Sequence, residues 1–319
     1  MRVTGKMLAN NLLRNLNQSS NRMVQIQNQM STGSRINKPS DDPVGVETVM
    51  RLKSTLASME QWKKNISEGL SYMQSIEGTL DGMTAMMHRL RELGVQGATG
   101  TTTPDDKRKV ETEVSQIIQQ FELMANTQFN GKYVFSGTRT NIETITNRQV
   151  TLNAGNYEFS WGGNGNPINI EIGPGIVIDI SVSGEELFGV NPPGVGDNRT
   201  SELLTTLYKL RDALHNNDYA AINEVLGKDG DWSDPLTLSS QLEVLLRVRG
   251  DLGARTNRLE TMQSQLETNL LNTRENLSIV ADIDMAEAII QYKSLQNVYQ
   301  AALSVGAQII QPSLVDFIR

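Results

Sequence analysis

The stretch Leu12-Leu13-Arg14-Asn15-Leu16-Asn17-Gln18-Ser19-Ser20-Asn21-Arg22-Met23-Val24-Gln25-Ile26-Gln27-Asn28-Gln29-Met30 steps by fours and threes through Leu12, Leu16, Ser19, Met23, Ile26 and Met30. That spacing draws one apolar stripe down a helix and calls for a partner helix. The same alternation returns near the other end at Leu295, Val298, Ala302, Val305 and Ile309. Leu12, Leu16, Met23, Ile26 and Met30, with these five, are the candidate assembly interface. Turn-rich, strand-like sequence lies only between the two ends. Two terminal helices in need of partners, joined through an inserted middle, read as a self-assembling subunit rather than an enzyme.

At 319 residues the chain has room for two or three domains, and 38% hydrophobic with 5% aromatic residues implies no single large core. None of the methionines falls between Met124 and Met262, which assigns them to the helical parts. Cysteine is absent, removing disulfides and thiolate chemistry together. The net charge of -7 argues against nucleic acid as a partner. Its distribution says more: Arg2, Lys6, Arg14, Arg22, Arg35 and Lys38 precede any acid, whereas Glu260, Glu267, Glu275, Asp282, Asp284 and Glu287 crowd the other end. A basic start beside an acidic finish predicts that the two ends pair, helped by roughly 0–1 kcal/mol for each exposed ion pair. The first twenty residues mix Asn and Gln among Leu and form no secretory apolar core, and no run is long enough to insert in a membrane. The acid-free start has the look of a transit peptide, but no small-residue processing site follows it.

Residues 5–30 read as a helix of about 40 Å at ~1.5 Å per residue. Gly33 ends it, and Ser40-Asp41-Asp42-Pro43 caps the next one, with proline in the first turn. That long helix carries Leu52, Leu56, Met59, Ile66, Leu70, Met73 and Leu80, interrupted at seam positions by Lys63 and Glu77. Thr103-Pro104-Asp105-Asp106 opens a third helix, which makes an antiparallel hairpin with the second. Tyr133-Val134-Phe135, Tyr157-Glu158-Phe159 and Ile176-Val177-Ile178-Asp179-Ile180 are strand candidates. Gly162-Gly163 through Asn166 reads as a hairpin loop, and Asn191-Pro192-Pro193-Gly194 as a linker. Helices resume at Leu203, and a long one runs from Leu238 to Leu259 and beyond, with Gly250 and Gly253 as weak points. The expected fold is mainly α with an inserted β-rich domain, elongated, with terminal coiled-coil segments. Its parts are an assembly helix (1–40), a helical hairpin (41–135), a β-rich outer domain (136–197), a helical return (198–270) and a C-terminal assembly helix (271–319).

Chemistry-bearing motifs are missing from this sequence. His88 and His215 stand in no catalytic or metal-ligand spacing. Asp41-Asp42 is better explained as a helix cap than as a carboxylate pair. The glycine-rich Gly162–Asn166 segment lacks the lysine and helix of a phosphate loop, and Arg249-Gly250-Asp251 falls within a predicted helix. No catalytic, cofactor or metal residue is assigned.

The segment Gln27-Asn28-Gln29-Met30-Ser31-Thr32-Gly33-Ser34-Arg35-Ile36-Asn37-Lys38-Pro39-Ser40-Asp41-Asp42-Pro43 resembles the N-terminal signature of the bacterial flagellin family. Asn65-Ile66-Ser67-Glu68-Gly69, Arg91 through Ala98, and Ala125 through Gly131 look like its further motifs. The resemblance covers roughly residues 1–140 and 240–319. Met1-Arg2-Val3-Thr4, Lys132 through Gly137, and the ending Ser313-Leu314-Val315-Asp316-Phe317-Ile318-Arg319 look like the members found between hook and filament; flagellins proper lack the Asp-Phe element. The resemblance implies export through the flagellar channel without a cleaved signal, and terminal segments that assemble as coiled coil. The implied partners are a hook-associated protein on the hook side, flagellin on the filament side, further copies in a ring, and an export chaperone on the C-terminal segment. A filament subunit, or a coiled-coil protein of an injection apparatus or adhesin, are the alternatives.

Overall fold

A computed structural model describes residues 5–99, 103–153, 156–190, 198–227 and 234–310. The chain runs α1 (Gly5–Thr32), α2 (Pro43–Ala98), α3 (Pro104–Ala125), β1 (Gln128–Phe129), β2 (Lys132–Tyr133), β3 (Ile145–Asn153), β4 (Asn156–Trp161), β5 (Asn169–Gly173) and β6 (Ile176–Asp179). It continues through α4 (Gly184–Leu187), β7 (Asn198–Thr200), α5 (Glu202–His215), α6 (Tyr219–Leu226), α7 (Leu238–Ala281) and α8 (Met285–Ile310). Long helices with small antiparallel sheets in the middle confirm the expected fold class. Two compact units result: residues 1–60 with 268–319, and residues 61–267.

In the larger unit α2 and α7 run antiparallel and bury matching seams. Ile66, Met73, Ile76, Leu80, Met83, Met87 and Leu90 are buried on α2, while Leu245, Leu252 and Leu259 recur every seven residues on α7. The methionines of this seam are core residues, filling gaps between helices as unbranched side chains do. The two polar interruptions meet charged partners: Lys63 pairs with Glu267 at 2.8 Å, and Glu77 with Arg249 at 2.7 Å. Arg249 also reaches Asp81 at 2.9 Å, so Arg249-Gly250-Asp251 is spent within the chain. α7 passes through Gly250 and Gly253 unbroken, contrary to the weak points expected there; a side chain at either would meet open space. The Thr103 hydroxyl caps α3 by accepting the Asp106 N–H. α3 returns beside α2, with Glu113 on Arg89 at 2.7 Å. This is the predicted hairpin.

The β region holds three separate small sheets, β1–β2, β3–β4–β7 and β5–β6. β1 and β2 close a two-residue turn at Asn130-Gly131, where both residues have positive φ. Val134 and Phe135 follow as fully buried residues outside any strand. Gly162–Asn166 does not close a hairpin as expected. β4 pairs with β3 and β7, and β5 only with β6, so this loop passes from one sheet to another. It is fastened by Asn164, whose N–H donates to the Ser136 carbonyl at 3.1 Å and whose Oδ1 accepts the Thr138 N–H at 2.9 Å. The proline-rich linker expected at Asn191–Gly194 lies outside the described residues.

Two consequences are testable here. Gly137 has φ +63°, and a Cβ on it would lie 2.1 Å from the Asn164 backbone oxygen. Gly137→Ala should therefore displace this loop and lower stability by about 2–4 kcal/mol, read from urea unfolding; an unchanged midpoint would show that the loop gives way freely. The Tyr72 hydroxyl donates to the buried Val134 carbonyl at 3.1 Å. Burial, with help from the Asp179 charge, pushes its phenol up to about 12 from 10.0. The folded value exceeds the unfolded one, so this stabilisation is complete below pH ~10 and is lost as pH rises toward ~12, by up to about 2–3 kcal/mol. Tyr72→Phe should flatten that part of the alkaline slope while costing about 1 kcal/mol at pH 8. An identical slope in both proteins would refute the assignment.

Candidate assembly interface

The smaller unit is organised around a strap. Ser34 and Asp282 form an antiparallel bridge, with the Arg35 N–H donating to the Ala281 carbonyl at 2.7 Å and the Ile283 N–H to the Gly33 carbonyl at 3.1 Å. The Ser34 hydroxyl adds a bond to the Ala281 carbonyl at 3.0 Å. The Arg35 guanidinium donates to the Val280 carbonyl at the end of α7 and stands 3.7 Å from the Asp42 carboxylate. Asp42 in turn caps α2 by accepting the Gly45 N–H at 3.0 Å, as the sequence predicts. Beneath the strap Ile36, Val49 and Ala281 are buried, with Val46, Leu277 and Val280 packed around them. The signature loop thus fixes where α1 leaves and where α7 gives way to α8.

α1 and α8 pack together as antiparallel helices. Leu12 sits against Gly306, where a Cβ would lie 2.5 Å from Leu12 Cδ2. Farther along, Ile26 faces Leu295 across a groove of about 580 Å³ bordered by Arg22, Gln25, Gln29 and Ile290. Leu12, Leu16, Ser19, Met23, Ile26 and Met30 are all half-buried and share one face of α1. On α8 Ala288, Tyr292, Leu295, Tyr299, Ala302 and Gly306 are protected in steps of four and three, with Gln296 half-buried beside them. Leu295 and Ala302, both in the predicted set, are half-buried in this series. Val298 and Val305 do not face α1; they are 55% and 51% exposed. The Ile309 side chain lies outside the described residues.

The difference has a physical cause. α8 carries two apolar stripes that share their edge at Leu295 and Ala302. Sequence reading preferred the valines because tyrosine is amphipathic and glycine carries no side chain, yet a small Gly306 is what lets α1 approach. The basic and acidic ends form no ion pair between α1 and α8 among the described residues. Asp282 accepts the Ser278 hydroxyl, Asp284 caps α8, Glu287 accepts from Gln291, and Glu267 holds Lys63. Apolar contact, with glutamines at the rim, makes this pair.

The bacterial flagellin N-terminal helical region matches residues 3–140, and the bacterial flagellin C-terminal helical region matches residues 237–318. A flagellar filament 30.7 kDa core protein of Treponema maltophilum is 27% identical over 91% of this chain and 92% of that protein. The flagellin of Bacillus subtilis (strain 168) is 27% identical over 97% and 96%. Among solved structures, flagellar hook associated protein-3 of Legionella pneumophila has this fold with a TM-score of 0.60 at 16% identity, over 73% of this chain and 98% of that one. FlgL of Xanthomonas campestris has it with a TM-score of 0.55 at 15% identity, over 71% and 99%. With both terminal regions of flagellin matched over the helices that carry the strap and the α1–α8 pair, this chain belongs to the bacterial flagellin family.

Proposed function

We propose that this chain is a structural subunit of the extracellular bacterial flagellum that forms the junction between the hook side and the filament, onto which flagellin assembles. The observation that carries this reading is the second apolar stripe of α8. Ile290, Val298 and Val305 stay exposed beside the α1–α8 groove although α1 is already in place. At ~100° per residue, the exposed Leu13 and Val24 of α1 and Ile289 and Leu303 of α8 point to the opposite flank of the pair. Two different apolar flanks suit head-to-tail contact between copies, which closes as a ring or continues as a helix. Nine of the ten predicted residues then divide their work, the Ile309 side chain lying outside the described residues. Leu12, Leu16, Met23, Ile26, Met30, Leu295 and Ala302 hold the pair together, while Val298 and Val305 meet the neighbour.

Placement at the junction is supported by the fold shared with hook-associated proteins and by the N- and C-terminal motifs. In this reading a hook-associated protein lies on one side and flagellin on the other, and an export chaperone holds the C-terminal segment beforehand. The parts follow the sequence: terminal assembly helices, a helical rod built from the hairpin and its return, and an outer β-rich domain. A filament subunit is the second reading, favoured by the flagellin relatives that match along nearly the whole chain. Deleting the gene separates the two. Hooks without filaments, with flagellin lost to the medium and the restored chain labelled only at the hook end, is the expected result. Label along the whole filament would favour the second reading, and normal filaments in the deletion strain would overturn the first.

A further inference from the structure

The β5–β6 hairpin ends in a Pro174-Gly175 turn and presents Ile176 and Val177 to solvent, 40% and 54% exposed. Ile176 stands opposite Gly173 and so has no cross-strand side chain to cover it. Val177 stands opposite Glu171, an exposed carboxylate without an ion pair among the described residues. The other exposed large apolar residues of this unit, such as Val95 and Leu123, are far apart in sequence and form no such adjacent pair.

The same unit carries a groove of about 660 Å³ with an apolar floor of Tyr72, Phe129, Ile168, Ile170 and Ile180. Tyr72 and Phe129 meet edge to face, with ring centroids 5.6 Å apart, which fixes the floor. Lys132 stands on its rim, exposed and without an ion pair among the described residues. The one carboxylate on the rim, Glu68, already has Lys64 at 3.8 Å.

Knob and groove match in character, an apolar tip beside a carboxylate and an apolar floor beside an ammonium. They cannot meet within one molecule. Ile168, Ile170 and Ile180 line the groove, and the tip at Gly173 and Ile176 lies about 10 Å beyond Ile170 along the strand at ~3.3 Å per residue. We propose that the Ile176-Val177 tip of one copy docks in this groove of a second copy, with Glu171 of the first meeting Lys132 of the second. The proposal rests on the reading of this chain as a self-assembling subunit. Such a contact is head-to-tail.

The test uses the absence of native cysteine. Flagella isolated from cells making full-length Val177→Cys/Thr138→Cys protein are treated with a short bis-maleimide and immunoblotted. Thr138 lies on the groove rim. A ladder of covalent multimers is expected from the double variant, dimers at most from the two single variants mixed, and monomer from each alone. Monomer only from the double variant, in flagella that bear normal filaments, would overturn the docking and leave the junction reading standing. Should that pair prevent assembly, Ile176→Cys/Lys132→Cys gives the same readout. A charge reversal adds an independent measure. Lys132→Glu and Glu171→Lys should each shorten the filaments retained after shearing, and the double reversal should restore them. Failure of the double to recover would count against the pairing.

Discussion

Leu16→Asp is expected to separate α1 from α8 in the free chain and to leave cells with hooks but no filaments. Leu16 is half-buried on the seam between Leu12 and Ser19, so a carboxylate there is partly desolvated with no cation opposite it. A loss of ~3 kcal/mol shifts the equilibrium of such a contact by roughly a hundredfold. Short isolated helices gain little without packing, so both ends should lose helical signal and become open to protease. Val298→Asp is the informative contrast. Its side chain is already in water in the single chain, so helix content and protease resistance should match the parent. Filament growth should fail equally, because the charge now faces the neighbouring copy. Circular dichroism, limited proteolysis and filament counts on the two variants resolve the matter. Full motility in Val298→Asp would reduce the outer stripe to ordinary surface, and undiminished protection of the ends in Leu16→Asp would mean the seam does not hold the pair.

Phe188→Ala should be the most damaging single truncation in the larger unit. Phe188 is fully buried between Phe121 of α3, 6.5 Å away, and Phe135 beyond β2, 5.9 Å away, edge to face with both. Its carbonyl accepts the Ser201 hydroxyl at 2.6 Å just before α5 begins. The ring therefore joins α3 to the β region, while the residue's backbone carbonyl, which an alanine would keep, holds the start of α5. Removing it should cost about 3–5 kcal/mol, against about 1–2 for Phe188→Leu. For a unit of this size the melting temperature should fall by roughly 10 °C. An alanine variant melting within a degree or two of the parent would mean that Phe121 and Phe135 close up around the gap.

The helices were legible because their signals are local and repeated. Thr103 before Pro104, Asp42 before Pro43 and the seven-residue recurrence of leucine on α7 each mark an element without reference to the rest of the chain. The β region was less legible. β5 at Asn169–Gly173 is short and polar at alternate positions, and β7 at Asn198–Thr200 is three polar residues defined only by β4, some forty positions earlier in the chain. Lys63 and Glu77 looked like flaws in a seam, since a charged residue can be judged only with its partner in view. Their partners, Glu267 and Arg249, lie about two hundred residues away. At the interface, the α1 face was readable from apolar periodicity alone. On α8 the face toward α1 was hidden behind a more hydrophobic neighbouring stripe. The strap left no trace that spacing could reveal, because most of its bonds use backbone groups, which every residue possesses.

That strap makes the order of assembly within a single chain a matter of loop closure. Bringing Ser34 to Asp282 directly would close a loop of nearly the whole molecule, at roughly 5 kcal/mol beyond the fixed cost. Once the antiparallel helices have met at Glu60 and Arg274, 2.7 Å apart, the loop left to close is about 34 residues and the same relation lowers the cost to roughly 3 kcal/mol. The joint therefore fastens late, like the last link of a zipper. A chain interrupted anywhere between its two ends cannot hold α1 against α8 by covalent proximity. The surface offered to neighbours is accordingly favoured in molecules whose two long helices have already met.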